Sequence, residues 1–184
     1  KSTLFTTAYF RNTTDKIQRI RTVQENGFSV TVPFNITGEV SYGLEFSGDY
    51  AATPWWKLDF NANFFYADID GSNLDQNFQA TTTSLLFRQT SRFTIADKWD
   101  LQVRANYEAR RRTAQGVQKG IFFIDLSASR KIMNNRGTLI LNITDLLNTR
   151  INRYITEGAN FFTEGEAQMI RRQTNLTFTY RIKQ

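Results

Sequence analysis

Neither cysteine nor histidine occurs among the 184 residues. The first absence removes disulfide frameworks and thiol nucleophiles, and leaves the redox compartment open. The two together remove the usual zinc sites and every histidine-based acid–base dyad or triad. No run of about 18 apolar residues exists, so a helical membrane span is excluded. Proline is limited to Pro33 and Pro54, which read as loop and turn positions. Nothing in the residues supports enzymatic activity, and no cofactor or metal is expected.

What is present is aromatic and polar at once. Phe (16), Tyr (7) and Trp (3) make 14% of the chain, aliphatic helix formers are sparse, and Thr and Asn are abundant, a mixture that favours strands and turns. Mean hydropathy is nevertheless slightly negative. A lipid-facing set of side chains diluted one-to-one by water-facing ones has this composition. The net charge of +6 comes from 23 basic residues scattered among 17 acids, which argues against nucleic acid as a partner. The chain begins at Lys1 without a basic, apolar leader, so it is expected to be a mature form or a piece of something larger.

Alternation carries the fold assignment. In residues 174–182, Leu176, Phe178, Tyr180 and Ile182 alternate with Asn175, Thr177, Thr179 and Arg181. Strand side chains point to opposite faces in turn, so one face is oily and the other wet. Residues 36–51 put Val40, Tyr42, Leu44, Phe46 and Tyr50 against Glu39, Ser41, Glu45, Ser47 and Asp49; three acids on one face exclude a protein core there. Residues 55–69 set Trp56, Leu58, Phe60 and Phe64 against Lys57, Asp59, Asn61 and Asn63. Residues 99–111 set Trp99, Leu101, Val103 and Tyr107 against Asp100, Arg104, Glu108 and Arg110. Further strands are expected at 3–11, 16–24, 78–95 and 120–132. Another begins at 138, is interrupted by a bulge near 145–148 and runs to about 156. Nine strands result, with turns or loops at 12–15, 25–35, 52–54, 67–77, 96–98, 112–119, 133–137 and 157–167.

The expected fold class is therefore all-β, an antiparallel up-and-down transmembrane β-barrel. A soluble carbohydrate-binding β-sandwich would have to bury its oily faces against each other, and has no use for aromatic rims. Connections alternate short and long, and in outer-membrane barrels short turns face the periplasm. Tyr50, Trp56, Trp99 and Tyr180 then form a periplasmic rim, with Tyr66, Tyr107 and Phe122 near the outer one. An odd strand count, with the first strand running down from outside, implies about nine strands of a larger barrel.

The wet-face residues Glu39, Glu45, Asp49, Asp59, Arg104, Glu108 and Arg110 are lumen candidates for a cation or substrate, although such groups more often pair across strands. Arg110-Arg111-Arg112, near the outer rim, suits lipopolysaccharide phosphates, although such a run is more often a solvated rim. Phe161 and Phe162, adjacent aromatics in an outer loop, are candidates for touching a ligand or a surface lipoprotein, or for packing on other loops.

The stretch 139–150, with Asp145-Leu146-Leu147-Asn148, and the closing Tyr180-Arg181-Ile182 resemble the C-terminal end of a TonB-dependent receptor. Members carry Asn/Asp-Leu-Phe-Asp/Asn, an outer loop, then Arg and an alternating last strand. Here Leu147 stands for Phe, and Arg171-Arg172 precede the strand. Tyr42-Gly43-Leu44-Glu45 followed by Trp55-Trp56 resembles the family's penultimate hairpins. The resemblance implies a bacterial outer-membrane location and a 22-stranded barrel, of which residues 1–184 would be a C-terminal segment without the plug domain. It also implies the remaining barrel, the plug, lipopolysaccharide and the TonB energy-coupling complex as partners, and import of a siderophore, cobalamin, glycan or peptide. Two departures stand out: no coupling box is present, and the chain ends Ile182-Lys183-Gln184 instead of at Phe. The competing function is a non-transport barrel for assembly, secretion or surface anchoring.

The oily faces predict that the protein sediments with membranes and needs detergent to leave them. Recovery as a monomer in plain buffer would refute the lipid-facing assignment.

Overall fold

Alternating β-branched and aromatic residues suit a pleated, half-covered surface. The structure, a computed structural model, describes residues 2–74, 78–96 and 98–182 and contains strands but no helix among them. Twelve strands follow one another: β1 (Ser2–Val23), β2 (Ser29–Thr53), β3 (Trp56–Asp70), β4 (Ala80–Ile95), β5 (Trp99–Glu108), β6 (Arg111–Thr113), β7 (Gly116–Gln118), β8 (Ile121–Ile132), β9 (Gly137–Thr144), β10 (Asn152–Gly158), β11 (Phe161–Ala167) and β12 (Gln173–Tyr180). Eight form one antiparallel meander in the order β1-β2-β3-β4-β5-β8-β9-β12, and four form a second sheet in the order β11-β10-β7-β6.

Ser2, Tyr50, Leu58, Ser91, Val103, Leu126, Ile143 and Thr174 form one row of directly opposed residues across the meander. The row climbs away from the short turns: Tyr50 and Leu58 lie closest to theirs, Ser91 and Val103 farther, Leu126 and Ile143 farther still. A rise of about one residue per strand, at roughly 3.3 Å along and 4.8 Å across, is a tilt of about 35°, near that of closed barrels.

The short turns use residues that tolerate left-handed backbone. Asn134 and Asn135, with Met133, have φ of 53°, 67° and 53°, a region where asparagine is comparatively at ease. Asp97, in the turn expected at 96–98, lies outside the described residues, as do 75–77 in the loop expected at 67–77 and Lys183-Gln184 at the end.

Several expectations are corrected. No turn occurs at 12–15: β1 is one strand of 22 residues. Asp15 has a φ of 51°, yet Thr14 opposes Gly38 and Lys16 opposes Ile36 with the register unbroken. The loop expected at 25–35 shrinks to a turn in which the Gly27 N–H donates to the Gln24 carbonyl and the Gln24 N–H to the Phe28 carbonyl, both at 2.9 Å. Pro33 lies inside β2 opposite Arg19. It is tolerated because β3 ends opposite Gly38, leaving that stretch of β2 a free edge. The meander thus has eight strands rather than nine, and β1 starts at the same end as β12 finishes. The odd count no longer argues for a missing strand; the open outer edges of β1 and β12 remain. The loops expected at 112–119 and 157–167 are strand hairpins, and residues 152–158 leave the main sheet altogether.

Exposure sorts by face. Tyr42, Leu44, Phe64, Trp99, Tyr107, Phe122, Leu176 and Phe178 share one face and are 40–69% exposed, while Ser41 (7%), Ser84 (3%), Thr90 (6%) and Asn106 (7%) on the other face are buried. This inverts a water-soluble sheet. The aromatic face extends outward along the whole meander, far beyond the patch a soluble monomer exposes. The opposite face holds a polar ladder: Tyr9 Oη donates to Asn63 at 3.1 Å, Asn61 Nδ2 to Glu45 at 2.7 Å, and Arg88 Nε to Asn106 at 3.1 Å.

Leu44→Arg, on the outward face, is expected to destabilise the protein by about 2–4 kcal/mol in lipid, whereas Ser47→Arg on the inward face stays within about 1 kcal/mol. Denaturant titration in liposomes measures both; equal effects would mean that the faces do not meet different media.

Candidate ligand site at the long-loop end

β1 and β2 run well past the roughly 9–11 residues a tilted strand needs to cross a bilayer. Their outer ribbon, no longer flanked by main-sheet strands, is closed by side-chain amides. On the β2 edge Asn73 Oδ1 accepts the Thr37 N–H at 2.9 Å and Asn73 Nδ2 donates to the Asn35 carbonyl at 2.9 Å. On the β1 edge Gln115 Oε1 accepts the Arg21 N–H and Gln115 Nε2 donates to the Arg21 carbonyl, both at 2.7 Å. Asn160 Nδ2 adds a bond to the Val23 carbonyl at 3.0 Å. Each primary amide carries a donor and an acceptor like a peptide group, so it stands in for the missing strand.

Gln115 sits in the turn between β6 and β7. Gly116, at φ 130°, follows it, and a Cβ there would lie 2.2 Å from the Ile155 carbonyl oxygen. Only glycine lets β7 pair so closely with β10, where Thr156 opposes Gly116. A salt bridge from Lys119 to Glu164 ties the β6–β7 hairpin to the β10–β11 hairpin, and another of 3.3 Å from Arg153 to Glu166 crosses the β10–β11 hairpin itself. At the end of β3 the exposed Asp70 carboxyl is held below the usual carboxylate range by hydrogen bonds from Ser72.

Between these hairpins and the loop after β3 lies an open cleft of about 610 Å³. Phe78, Val117 and Ile155 give it an apolar side, Arg110 and Arg112 a cationic one, and Glu157 a single acid. Among the described residues no group of three acids is placed to hold a metal ion.

The structure disperses most sequence candidates. Glu39 pairs with Lys16 at 2.5 Å and Asp59 with Arg92 at 2.5 Å, while Glu45 accepts from Asn61. Asp49 opposes Asp59 nearer the short turns. Arg104 lies opposite Asp125 without an ion pair, and Glu108 is the exposed last residue of β5. Arg110 is corrected from a strand position: β5 ends at Glu108, two residues earlier, and the Ala109 N–H makes the last bond in the β4–β5 register, to the Leu85 carbonyl at 2.8 Å. Of these seven, Arg110 reaches the cleft. Phe161 and Phe162 belong to β11, not to a loop. Phe161 lies over Gly158, and Phe162 is 64% exposed. Tyr50, Trp56, Trp99 and Tyr180 lie on the outward face toward the short turns. There Trp56 stacks on Phe93 with centroids 5.9 Å apart, and Arg130 covers Trp99 at 4.9 Å.

One feature read as a bulge is a built turn. Asp145 is fully buried, and its backbone and that of Asn148 take left-handed φ of 52° and 55°. Its carboxylate accepts the N–H groups of Thr149 at 2.9 Å and Arg150 at 3.0 Å, and its own N–H donates to Asp125 at 2.9 Å. Asn148 Oδ1 accepts Gln168 Nε2 at 3.0 Å and the Arg172 N–H at 3.1 Å. The turn ends β9, launches the outer hairpin and anchors the start of β12. The residue types tolerant of left-handed backbone were the available signal; their long-range partners had none.

Asp145→Ala keeps its own backbone bond to Asp125 but leaves the Thr149 and Arg150 N–H groups without partners, and is expected to cost about 2–4 kcal/mol. Hydrogen exchange at Thr149 and Arg150 should rise with it, and unchanged protection there would contradict the assigned bonds.

The inward polar ladder, outward aromatic face, tilted meander and alternating connections accord with comparison to known proteins. The sequence profile of the outer membrane protein beta-barrel family matches residues 1–180. No curated protein and no solved structure gives a significant match. The chain belongs to the outer membrane protein beta-barrel family, and its place is the bacterial outer membrane.

Proposed function

We propose that the chain is part of the barrel of a TonB-dependent receptor that imports a nutrient across the outer membrane. The observation that carries this reading is the Asp145–Asn148 turn. The residues that resemble the receptor motif form a pinned junction which hands the chain from β9 to an outer hairpin and then, through Arg171-Arg172, to the alternating last strand. That order of parts is the one the resemblance implies. The open outer edges of β1 and β12 support a sector of a larger barrel, since unpaired strand edges are not tolerated in hydrocarbon. The polar ladder of the inward face supports a water-filled or plug-filled lumen. Short turns face the periplasm in this class, which puts the cleft on the cell surface.

The transport reading predicts that the encoding gene specifies a plug domain and coupling box upstream of Lys1. It also predicts that the native protein is retained by immobilised TonB C-terminal domain. A gene without a plug, together with no retention, would favour assembly, secretion or surface anchoring instead.

A further inference from the structure

We propose that the cell-surface cleft binds a small anionic molecule, bearing a carboxylate or phosphate, through Arg110 and Arg112. The inference deepens the transport reading by naming a ligand class, and it rests on that reading for the cleft's outward placement.

Several guanidinium groups elsewhere are engaged: Arg92 with Asp59, Arg153 with Glu166, Arg88 with Asn106 and Arg150 over the Phe123 ring at 4.6 Å. Others among the described residues, such as Arg104 and Arg111, are not, so it is the shared concavity that sets Arg110 and Arg112 apart. Among the described residues neither the Arg110 nor the Arg112 guanidinium makes a hydrogen bond or ion pair, although both line one concavity. Arg111, between them, does not line it. Two planar, permanently charged forks on one wall match the oxygens of a carboxylate or phosphate.

The backbone under them is held in place. The Arg112 N–H donates to Thr82 Oγ1 at 3.0 Å, and the Arg110 carbonyl accepts from Ser84 Oγ at 3.4 Å. The facing wall is braced by Gln115, whose amide both accepts from and donates to the Arg21 backbone, and by the Gly116–Ile155 backbone approach. A site on fixed elements loses less entropy on binding than one on free loops. Phe78, Val117 and Ile155 offer cover for an apolar portion of the same molecule.

The two arginines are not equivalent. Arg112 also borders an adjoining cavity of about 380 Å³ that holds Asp68 and Asp70. Those acids compete weakly for its charge without forming an ion pair with it. Arg110 does not line that cavity, so it carries more of the attraction.

Calorimetry on the full-length protein, purified in detergent, tests this with citrate and inorganic pyrophosphate as probes and glycerol as the neutral control. Both anions should bind and glycerol should not, with affinity falling as salt rises. Arg110→Gln should weaken binding by roughly tenfold or more, Arg112→Gln by less, and Arg111→Gln, which removes the same charge beside the cleft, hardly at all. Absence of anion binding, or equal losses in all three variants, would overturn the proposal. Adding monomeric lipopolysaccharide separates the sources. Displacement of citrate identifies lipid phosphate as the competing occupant of the same site, and undisturbed citrate binding identifies a soluble anion. Because binding is read on purified protein, a cleft that binds in a protein that imports nothing would sink the transport reading alone.

Discussion

The rest of the structure depends on one constraint: hydrocarbon lies against the aromatic face of the meander. In water the exposed surface of Tyr42, Leu44, Phe64, Leu176 and Phe178 would drive collapse or association. In a bilayer the same surface costs nothing, and the cost moves to any unpaired backbone group. Strand pairing in register over long stretches, and the tilt that lets a sheet close, both answer that demand. So does the inward face, where Asn, Gln, Glu and Arg side chains satisfy one another across strands.

Above the membrane the problem changes. Strands that are longer than the bilayer lose their neighbours and present free edges to solvent, where another chain can add. The β1–β2 ribbon meets this with Asn73, Gln115 and Asn160, whose amides occupy the edge positions a strand would take. The same contacts draw the β6–β7 and β10–β11 hairpins toward the first strand, and the surface cleft is a by-product of that convergence. The Asp145 turn belongs to this logic too, since it converts the end of a membrane strand into a rigid base for the outer hairpin.

Alternation alone was enough to assign the class, the two faces and most strand centres, because a period of two leaves no other way to separate Glu39, Glu45 and Asp49 from Tyr42, Leu44 and Phe46. It also placed Trp56 and Trp99 at the turn end. Boundaries outside the membrane were less legible. There the oily face no longer meets lipid, so the alternation fades, and residues 25–35, 112–119 and 157–167 looked like loops. Asn12-Thr13-Thr14-Asp15 has turn composition, yet pairing of Asn12, Thr13 and Thr14 with Val40, Glu39 and Gly38 carries the strand through it, with only Asp15 in left-handed backbone. Cross-strand pairing outweighs local preference.

What the sequence determined by itself is therefore the medium: the order of polar and apolar residues dictates a two-faced sheet, and a two-faced sheet with acids on its wet side requires lipid on the other. Tertiary structure decided what meets at the surface end. Arg110 and Arg112 become neighbours of Ile155 and Glu157, and Gln115 finds Arg21 94 positions away, only through the pairing of β7 with β10. Such contacts are set by strand register and loop geometry across the whole sheet, and no local pattern of residues encodes them.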